Sequence, residues 1–147
     1  MHDRIEKSIQ LTAPISKVWT ALTDYKKFGE WFLVKLEQPF VVNQTSRGQI
    51  TYPGYEHVSL EMTVKEILPK LLFSFAWHPY ALEKERDYST EKPTLVEFRL
   101  KENAKGTLLS VKESGFDSIP NDRRDEAYRM NEMGWSEQMN NIQKYVE

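Results

Sequence analysis

The stretch from Asp122 to Glu147 reads as one long amphipathic helix, and this element constrains the fold more than any other. Apolar and aromatic side chains recur there at steps of four and three residues, which places them on one helical face: Tyr128, Glu132, Trp135, Met139, Ile142 and Val146. A face of this length must be buried against a partner of similar extent. The preceding residues therefore have to supply a broad apolar surface.

That surface is predicted to be a β-sheet, because apolar and polar residues alternate along most of the chain before the helix. The predicted strands are residues 4–11, 34–42, 48–52, 58–65, 71–77, 94–100 and 107–113. Two short helices are expected after the first strand, the second of them capped by Asp24. Residues 80–92 are polar and of mixed charge, which is typical of a solvated loop.

Consecutive strands joined by short turns should pair antiparallel, and one face of such a sheet needs a cover. Only the C-terminal helix is long enough to cover it. We therefore predict an α+β helix-grip fold, in which a curved antiparallel sheet of about seven strands wraps around the C-terminal helix and leaves a space beneath it. The chain length of 147 residues predicts a single domain over residues 1–147.

Composition excludes several classes of function. Twenty Lys and Arg against 22 Asp and Glu give a net charge of −2, so no global field attracts nucleic acid. The absence of cysteine excludes a thiolate nucleophile and a disulfide scaffold. Neither a signal-peptide pattern nor an apolar run long enough to span a membrane is present. We expect a cytoplasmic location, and the sequence leaves the oligomeric state open.

Several short motifs, in their order and spacing, resemble the START-like (SRPBCC) superfamily. Within it the chain resembles the branch named after the activator of the heat-shock-protein-90 ATPase. The resemblance rests on the segment Ala13 to Asp24 with its Val18-Trp19 pair, on Trp31-Phe32, on Leu72 to Trp77, and on Gly106-Thr107, Gly115-Phe116 and Gly134-Trp135. It implies the helix-grip fold, and the name of the branch implies a chaperone as a partner.

The candidate ligand-binding residues are the large side chains expected between the sheet and the last helix, since aromatic rings and methionines typically line apolar pockets. They are Trp31, Phe32, Met62, Phe73, Phe75, Trp77, Phe98, Glu113, Tyr128, Glu132, Trp135 and Met139. Two are carboxylates. Glu113 or Glu132 would be a ligand anchor or a general acid if buried, and an ordinary surface group if it reaches water or a cation.

The leading hypothesis is non-catalytic binding of a small hydrophobic or amphipathic molecule in this space, with Trp31-Phe32 and the polar 80–92 loop at its mouth. A co-chaperone-like interaction module is one alternative, and a hydrolase, cyclase or dehydratase that uses Glu132 or Glu113 is another. The three histidines, His2, His57 and His78, do not form a metal-binding pattern, and Glu61 on the strand of His57 is ~13 Å away from it. We predict no catalytic residue, metal or cofactor.

Overall fold

The computed structural model describes residues 3–83 and 86–147, and within them the order of elements follows the prediction. The elements are β1 (Arg4–Leu11), α1 (Ile15–Thr23), α2 (Tyr25–Phe32), β2 (Val34–Leu36), β3 (Thr45–Ile50), β4 (Ser59–Leu68), β5 (Leu72–Trp77), β6 (Thr94–Asn103), β7 (Gly106–Ser114) and α3 (Arg124–Val146). A 3-10 turn, Phe116–Ser118, precedes α3. The predicted α+β helix-grip class is confirmed.

The strands form one antiparallel sheet in the order β1-β7-β6-β5-β4-β3-β2. Only the pairing of β1 with β7 joins strands that are distant in sequence, and α1 and α2 make the crossing to the other edge. The inward side chains of β5, β6 and β7 are fully buried beneath α3; they include Phe73, Phe75, Phe98, Leu109 and Val111. These strands could be predicted from the sequence because inward and outward residues alternate along them.

The two short helices are held by specific hydrogen bonds. The carboxylate of Asp24 accepts from the backbone N–H groups of Lys26 and Lys27 at 3.0 and 3.1 Å, and so caps α2. The indole N–H of Trp31 donates to the carbonyl oxygen of Ala21 at 2.8 Å, which ties α2 to α1. These contacts fix the direction in which α2 presents its aromatic residues to the core.

The predicted strand over residues 34–42 is shorter in the structure, because β2 ends at Leu36. Pro39 has no N–H for a strand ladder, and Asn43 takes a φ of 69°, so this segment leaves the sheet. Phe40 is nevertheless buried, with its ring centroid 4.9 Å from that of Phe73. The apolar residues that suggested a longer strand belong to a loop that folds over the core.

The turn between β6 and β7 depends on Gly106, one of the motif residues. Its φ is 133°, a conformation that side chains with a Cβ rarely adopt. A Cβ here would also collide with the backbone carbonyl of Leu11. This glycine therefore lets β1 and the hairpin approach closely, which is a packing role.

Replacing Asp24 by Ala should lower the free energy of unfolding by about 1 kcal/mol, because two N–H groups at the start of α2 lose their acceptor. Urea unfolding followed by circular dichroism measures the change. Asp24→Asn is the matched control, since its amide oxygen still caps the helix. An equal loss in both variants would contradict the capping role.

Candidate functional site

A cavity of about 700 Å³ lies between α3, the end of β5 and two loop regions, one of residues 51–58 and one of residues 78–82 and 86–89. We call its inner surface the floor, formed by Phe32, Trp77, Asn131, Gly134 and Gln138. We call its outer ring of side chains the rim, which includes Tyr52, Tyr55, Tyr80, Tyr88 and Met133. The rim residues Tyr52, Tyr55 and Met133 are 38%, 37% and 61% exposed, so the cavity opens to solvent on this side.

Gly134 keeps space in the wall that α3 contributes. A Cβ placed on this residue would meet no atom within 4 Å, so the space beside it is empty. Glycine inside a helix costs ~1 kcal/mol relative to alanine. Close packing does not require a glycine here, because no neighbouring atom fills the space that a side chain would occupy.

Two of the predicted cavity residues, Phe32 and Trp77, line the cavity. Trp135 lies directly behind them, with its ring centroid 6.1 Å from that of Phe32 and 5.8 Å from that of Trp77. The three aromatic rings form a continuous apolar surface. The motif pairs Trp31-Phe32 and Gly134-Trp135 thus each contribute one residue to the cavity and one to the core behind it.

Most of the other predicted residues are packed in the core instead. Each of the following is at most 4% exposed and is absent from the cavity wall: Trp31, Met62, Phe73, Phe75, Phe98 and Met139. The aromatic rings among them contact one another, as in the 5.9 Å approach of Phe73 to Phe75. These side chains fill the space beneath much of α3, which the sequence predicted to be hollow. The cavity occupies only the part nearest β3 and β4.

Glu132 and Tyr128 also lie away from the cavity. Glu132 is exposed to solvent, and the half-buried Tyr128 donates its hydroxyl to the carbonyl of Arg4 at 3.1 Å. Asn131 occupies the inward position that the sequence analysis gave to Glu132. A shift of one residue turns a side chain by ~100° around the helix, and the pattern allowed either register.

Glu113 on β7 is fully buried and accepts four hydrogen bonds. Its Oε2 accepts from the indole N–H of Trp77 at 2.7 Å and from the hydroxyl of Thr94 at 2.6 Å. Its Oε1 accepts from the amide of Asn131 at 2.9 Å and from the indole N–H of Trp135 at 2.8 Å. These donors occupy all four acceptor positions of a carboxylate. Glu113 is absent from the cavity wall, but two of its partners belong to it.

The loop that closes one side of the cavity is held by a buried ion pair. The guanidinium of Arg123 donates to Glu91 at 2.8 Å, and the two side chains are only 8% and 6% exposed. Arg123 also donates to the carbonyl of Pro79 at 2.7 Å and lies 4.8 Å from the ring centroid of Tyr88. The polar segment 80–92 is therefore anchored to the start of α3 rather than free in solvent.

Acidic groups around the rim make the opening unfavourable for anions. Hydrogen bonds from the hydroxyl and N–H of Ser89 lower the pKa of Asp87, which stays ionised at neutral pH. The one cationic lining residue, in the part of the chain that the structure describes, is Arg86, and it donates to Asp122 at 2.8 Å. That hydrogen bond lowers the pKa of Asp122. Burial and the carboxylate of Glu126 raise the pKa of Tyr80, so its hydroxyl stays protonated.

Metal and membrane features were searched for in residues 3–83 and 86–147. No three His, Cys, Asp or Glu side chains come together there as metal ligands. A ring nitrogen of His78 lies 2.8 Å from the carbonyl of Glu91, and His2 lies outside the described residues. None of the described helices combines the length and the apolar character needed to cross a bilayer.

A curved antiparallel sheet that holds a long last helix, with a cavity beside that helix, defines the class of helix-grip proteins. The chain belongs to the family described as Activator of Hsp90 ATPase homolog 1-like protein, whose family model matches residues 12–147. This confirms the resemblance seen in the sequence motifs. No curated protein matches the chain.

Several solved structures share the fold. Protein MLL2253 from Mesorhizobium loti has a TM-score of 0.76 at 24% identity, over 97% of this chain and 96% of that one. Protein BH1534 from Bacillus halodurans has a TM-score of 0.72 at 22% identity, over 98% and 96%. The Aha1 dimer from Colwellia psychrerythraea has a TM-score of 0.73 at 15% identity, over 98% and 96%. At these identities the likeness concerns the fold alone.

Sequence reasoning proposed the 80–92 loop for the mouth of the cavity, but it named none of the rim tyrosines and missed the floor residue Asn131. Tyr52 and Tyr55 flank a Pro-Gly turn, and Tyr80 and Tyr88 lie in a charged loop. Aromatic residues in such segments are a usable signal, because a turn or a solvated loop gives them no core to pack into. Asn131 carried no signal of its own, since its role depends on Glu113.

Gly134→Ala should raise the free energy of unfolding by about 1 kcal/mol, because alanine is the better helix former and its methyl group enters empty space. Thermal and urea unfolding measure the change. Gly29→Ala, also in a helix, is the contrasting control, because its Cβ would collide with the carbonyl oxygen of Val34 and should destabilise the protein. Destabilisation by Gly134→Ala would show that the space beside this residue is filled.

Glu91→Gln should lower the free energy of unfolding by about 3 kcal/mol, because it leaves the buried Arg123 guanidinium without its counter-charge. Urea unfolding measures the loss. Glu6→Gln is the control, since its pair with Arg4 is exposed (57% and 63%) and should contribute less than ~1 kcal/mol. The Glu91→Gln/Arg123→Met double variant should lose less than the two single variants together. Additive losses would contradict a direct coupling.

Proposed function

We propose that the chain is a single-domain, cytoplasmic protein that binds a small amphipathic molecule in this cavity without transforming it. The observation that carries the proposal is the cavity of about 700 Å³ with empty space beside Gly134. Ligand pockets of proteins commonly have volumes of ~300–1,000 Å³ and an apolar lining with few polar groups. The aromatic floor and the tyrosine rim fit that description.

The energetics of such binding follow from the lining. A ligand that buries about 300 Å² of apolar surface gains roughly 7 kcal/mol, from which the cost of immobilisation must be subtracted. The floor rings of Phe32 and Trp77 need no rearrangement, because Phe32 packs on Trp135 and Trp77 is hydrogen-bonded to Glu113. A floor fixed in advance keeps the ordering cost low. A gain of 7 kcal/mol alone corresponds to a dissociation constant of roughly 10 μM, and the cost of immobilisation weakens it, so apolar contact by itself should give affinities in the upper micromolar to millimolar range.

Glu113 and Glu132, the carboxylates of the enzyme alternative, do not support catalysis in the cavity. The enzyme alternative requires Glu113 or Glu132 to face a bound molecule. Glu132 is exposed on the solvent side of α3, and the four donors around Glu113 already use its acceptor capacity. These observations favour a binding function over a hydrolase, cyclase or dehydratase.

A co-chaperone-like function remains the second candidate, and the family description supports it. A docking surface for a chaperone requires exposed apolar side chains outside the cavity. Leu68 and Leu71, in the turn between β4 and β5, are 45% and 63% exposed. Stimulation of the ATPase rate of heat-shock protein 90 by the purified chain, abolished in a Leu68→Ser/Leu71→Ser variant, would favour this candidate over ligand binding.

The binding proposal predicts that Gly134→Leu removes a ligand-binding activity that the unmodified protein has. Nile red is a suitable probe, because it is uncharged, apolar and fluoresces strongly only away from water. Titration should give a saturable increase in fluorescence with the unmodified protein. In Gly134→Leu, whose side chain extends into the cavity, the affinity should fall at least ten-fold, since the probe would have to share its space.

Ser136→Leu is the matched control for this experiment. It introduces the same side chain on the same helix, at an exposed residue that does not line the cavity. Circular dichroism verifies that both variants are folded. Equal Nile red binding by all three proteins, or none by the unmodified protein, would contradict the proposal.

A further inference from the structure

Glu113 lies directly behind the floor of the cavity and controls two of its residues. Its carboxylate accepts hydrogen bonds from Trp77 and Asn131, which both line the cavity, and from Thr94 and Trp135, which do not. The two indole N–H groups and the amide nitrogen of Asn131 can donate hydrogen bonds but cannot accept them. The carboxylate is therefore a point around which four donors are oriented.

This arrangement fixes which way the amide of Asn131 faces. A carboxylate accepts and does not donate, so the nitrogen Nδ2 of Asn131 must be the atom that faces Glu113, at 2.9 Å. The carbonyl oxygen Oδ1 occupies the other branch of the planar amide. Among residues 3–83 and 86–147, no hydrogen bond to this oxygen is formed. The floor thus holds an acceptor without a protein donor.

The other amide of the floor is occupied at both ends. The nitrogen of Gln138 donates to the carbonyl of Phe32 at 3.0 Å, and its oxygen accepts from Asn141 at 3.1 Å. At the rim, the hydroxyls of Tyr52 and Tyr80 donate to Glu137 and Glu126 at 3.4 and 3.3 Å. Of the two amides of the floor, Asn131 is therefore the one whose oxygen accepts from no described residue and is available to a ligand.

We propose that Glu113 is a positioning residue that sets the hydrogen-bond preference of the cavity through Asn131, an inference that rests on the proposed binding function. The ligand class that this floor selects is an uncharged or cationic molecule with an apolar ring system and one hydroxyl or N–H donor. The ring system packs on Phe32 and Trp77, and the donor meets Asn131 Oδ1. The acidic rim disfavours a ligand with a carboxylate, phosphate or sulfate.

The test compares two ligands that differ only in the donor. Carbazole and fluorene have nearly the same shape, but only carbazole has an N–H group, which donates a hydrogen bond and, unlike a hydroxyl, does not accept one. Competition with Nile red gives a dissociation constant for each, and their ratio is the preference for carbazole. Nile red itself has no N–H or O–H donor, so its binding reports the cavity independently of Asn131.

Asn131→Leu keeps the size of the side chain and removes the acceptor. The preference for carbazole should fall about five-fold, which is the size of one ordinary hydrogen bond. Differences in the hydration of the two ligands cancel, since the same pair is compared in both proteins. Nile red should still bind.

A second variant tests the role of Glu113 itself. Glutamine at this position places a donor where a carboxylate oxygen stood, and one neighbour must turn to accept from it. Thr94 and Asn131 are the two neighbours able to do so. In Thr94→Val/Glu113→Gln only Asn131 remains, so its nitrogen turns toward the cavity and the preference should fall by about the same five-fold factor. Thr94→Val alone, which keeps the carboxylate, is the reference.

The outcomes separate this inference from the binding proposal. A preference that stays the same in Asn131→Leu and in Thr94→Val/Glu113→Gln, while Nile red still binds, overturns the inference and leaves the binding proposal intact. Absence of Nile red binding by the unmodified protein overturns the binding proposal and this inference with it. If the double variant does not fold, Thr94→Ala/Glu113→Gln replaces it, because it also leaves Asn131 as the neighbour able to accept, and an undiminished preference there overturns the role of Glu113.

Discussion

The burial of one carboxylate, Glu113, in the middle of the protein is the constraint on which the rest of the structure depends. A charged group without water is costly unless donors surround it. Three elements meet that requirement together with four donors: β5 provides Trp77, β6 provides Thr94, and α3 provides Asn131 and Trp135. The sheet and the long helix therefore have one relative position in which every donor reaches the carboxylate. Apolar packing alone would tolerate small shifts of the helix, and these directional bonds do not.

The cavity is a consequence of that fixed position together with the distribution of large side chains. Phe98 and Trp135 fill the space near the centre of the sheet, where their ring centroids are 5.6 Å apart. Toward β3 and β4, α3 presents Gly134 instead of a bulky residue, and the space stays open. Arg123 then ties Pro79 and Glu91, on either side of the described part of the loop beside this opening, to the start of α3. The same elements thus form a solid core on one side and a cavity on the other.

The sequence predicted the fold well, because the fold depends on periodic patterns. Alternating apolar and polar residues predict the strands, and apolar residues at steps of three and four predict α3. The pattern could not decide between Asn131 and Glu132 for the inward position, since Tyr128, Asn131 and Trp135 satisfy the same steps as Tyr128, Glu132 and Trp135. An asparagine beside an apolar face looks like a surface residue until its partner is known.

The candidate site was harder to predict, because it depends on contacts between distant residues. Arg123 and Glu91 are far apart in sequence and follow no period, so the polar segment 80–92 looked like a free loop. The extent of the hollow under α3 could not be predicted from the sequence for a different reason. Whether Phe73, Phe75 and Phe98 line a hollow or fill it depends on interatomic distances, which hydrophobic periodicity does not encode.

The floor and the rim of the cavity differ in their relation to the motifs that resemble the family. The floor residues Phe32, Trp77 and Gly134 lie in the motifs that carried the resemblance. The rim tyrosines and Asn131 lie outside those motifs, and they supply polar groups of the cavity. Because a shared fold does not determine such polar groups, a ligand cannot be transferred to this chain from a relative of similar fold. It has to be inferred from the tyrosines at the rim and from the acceptor that Glu113 turns toward the cavity.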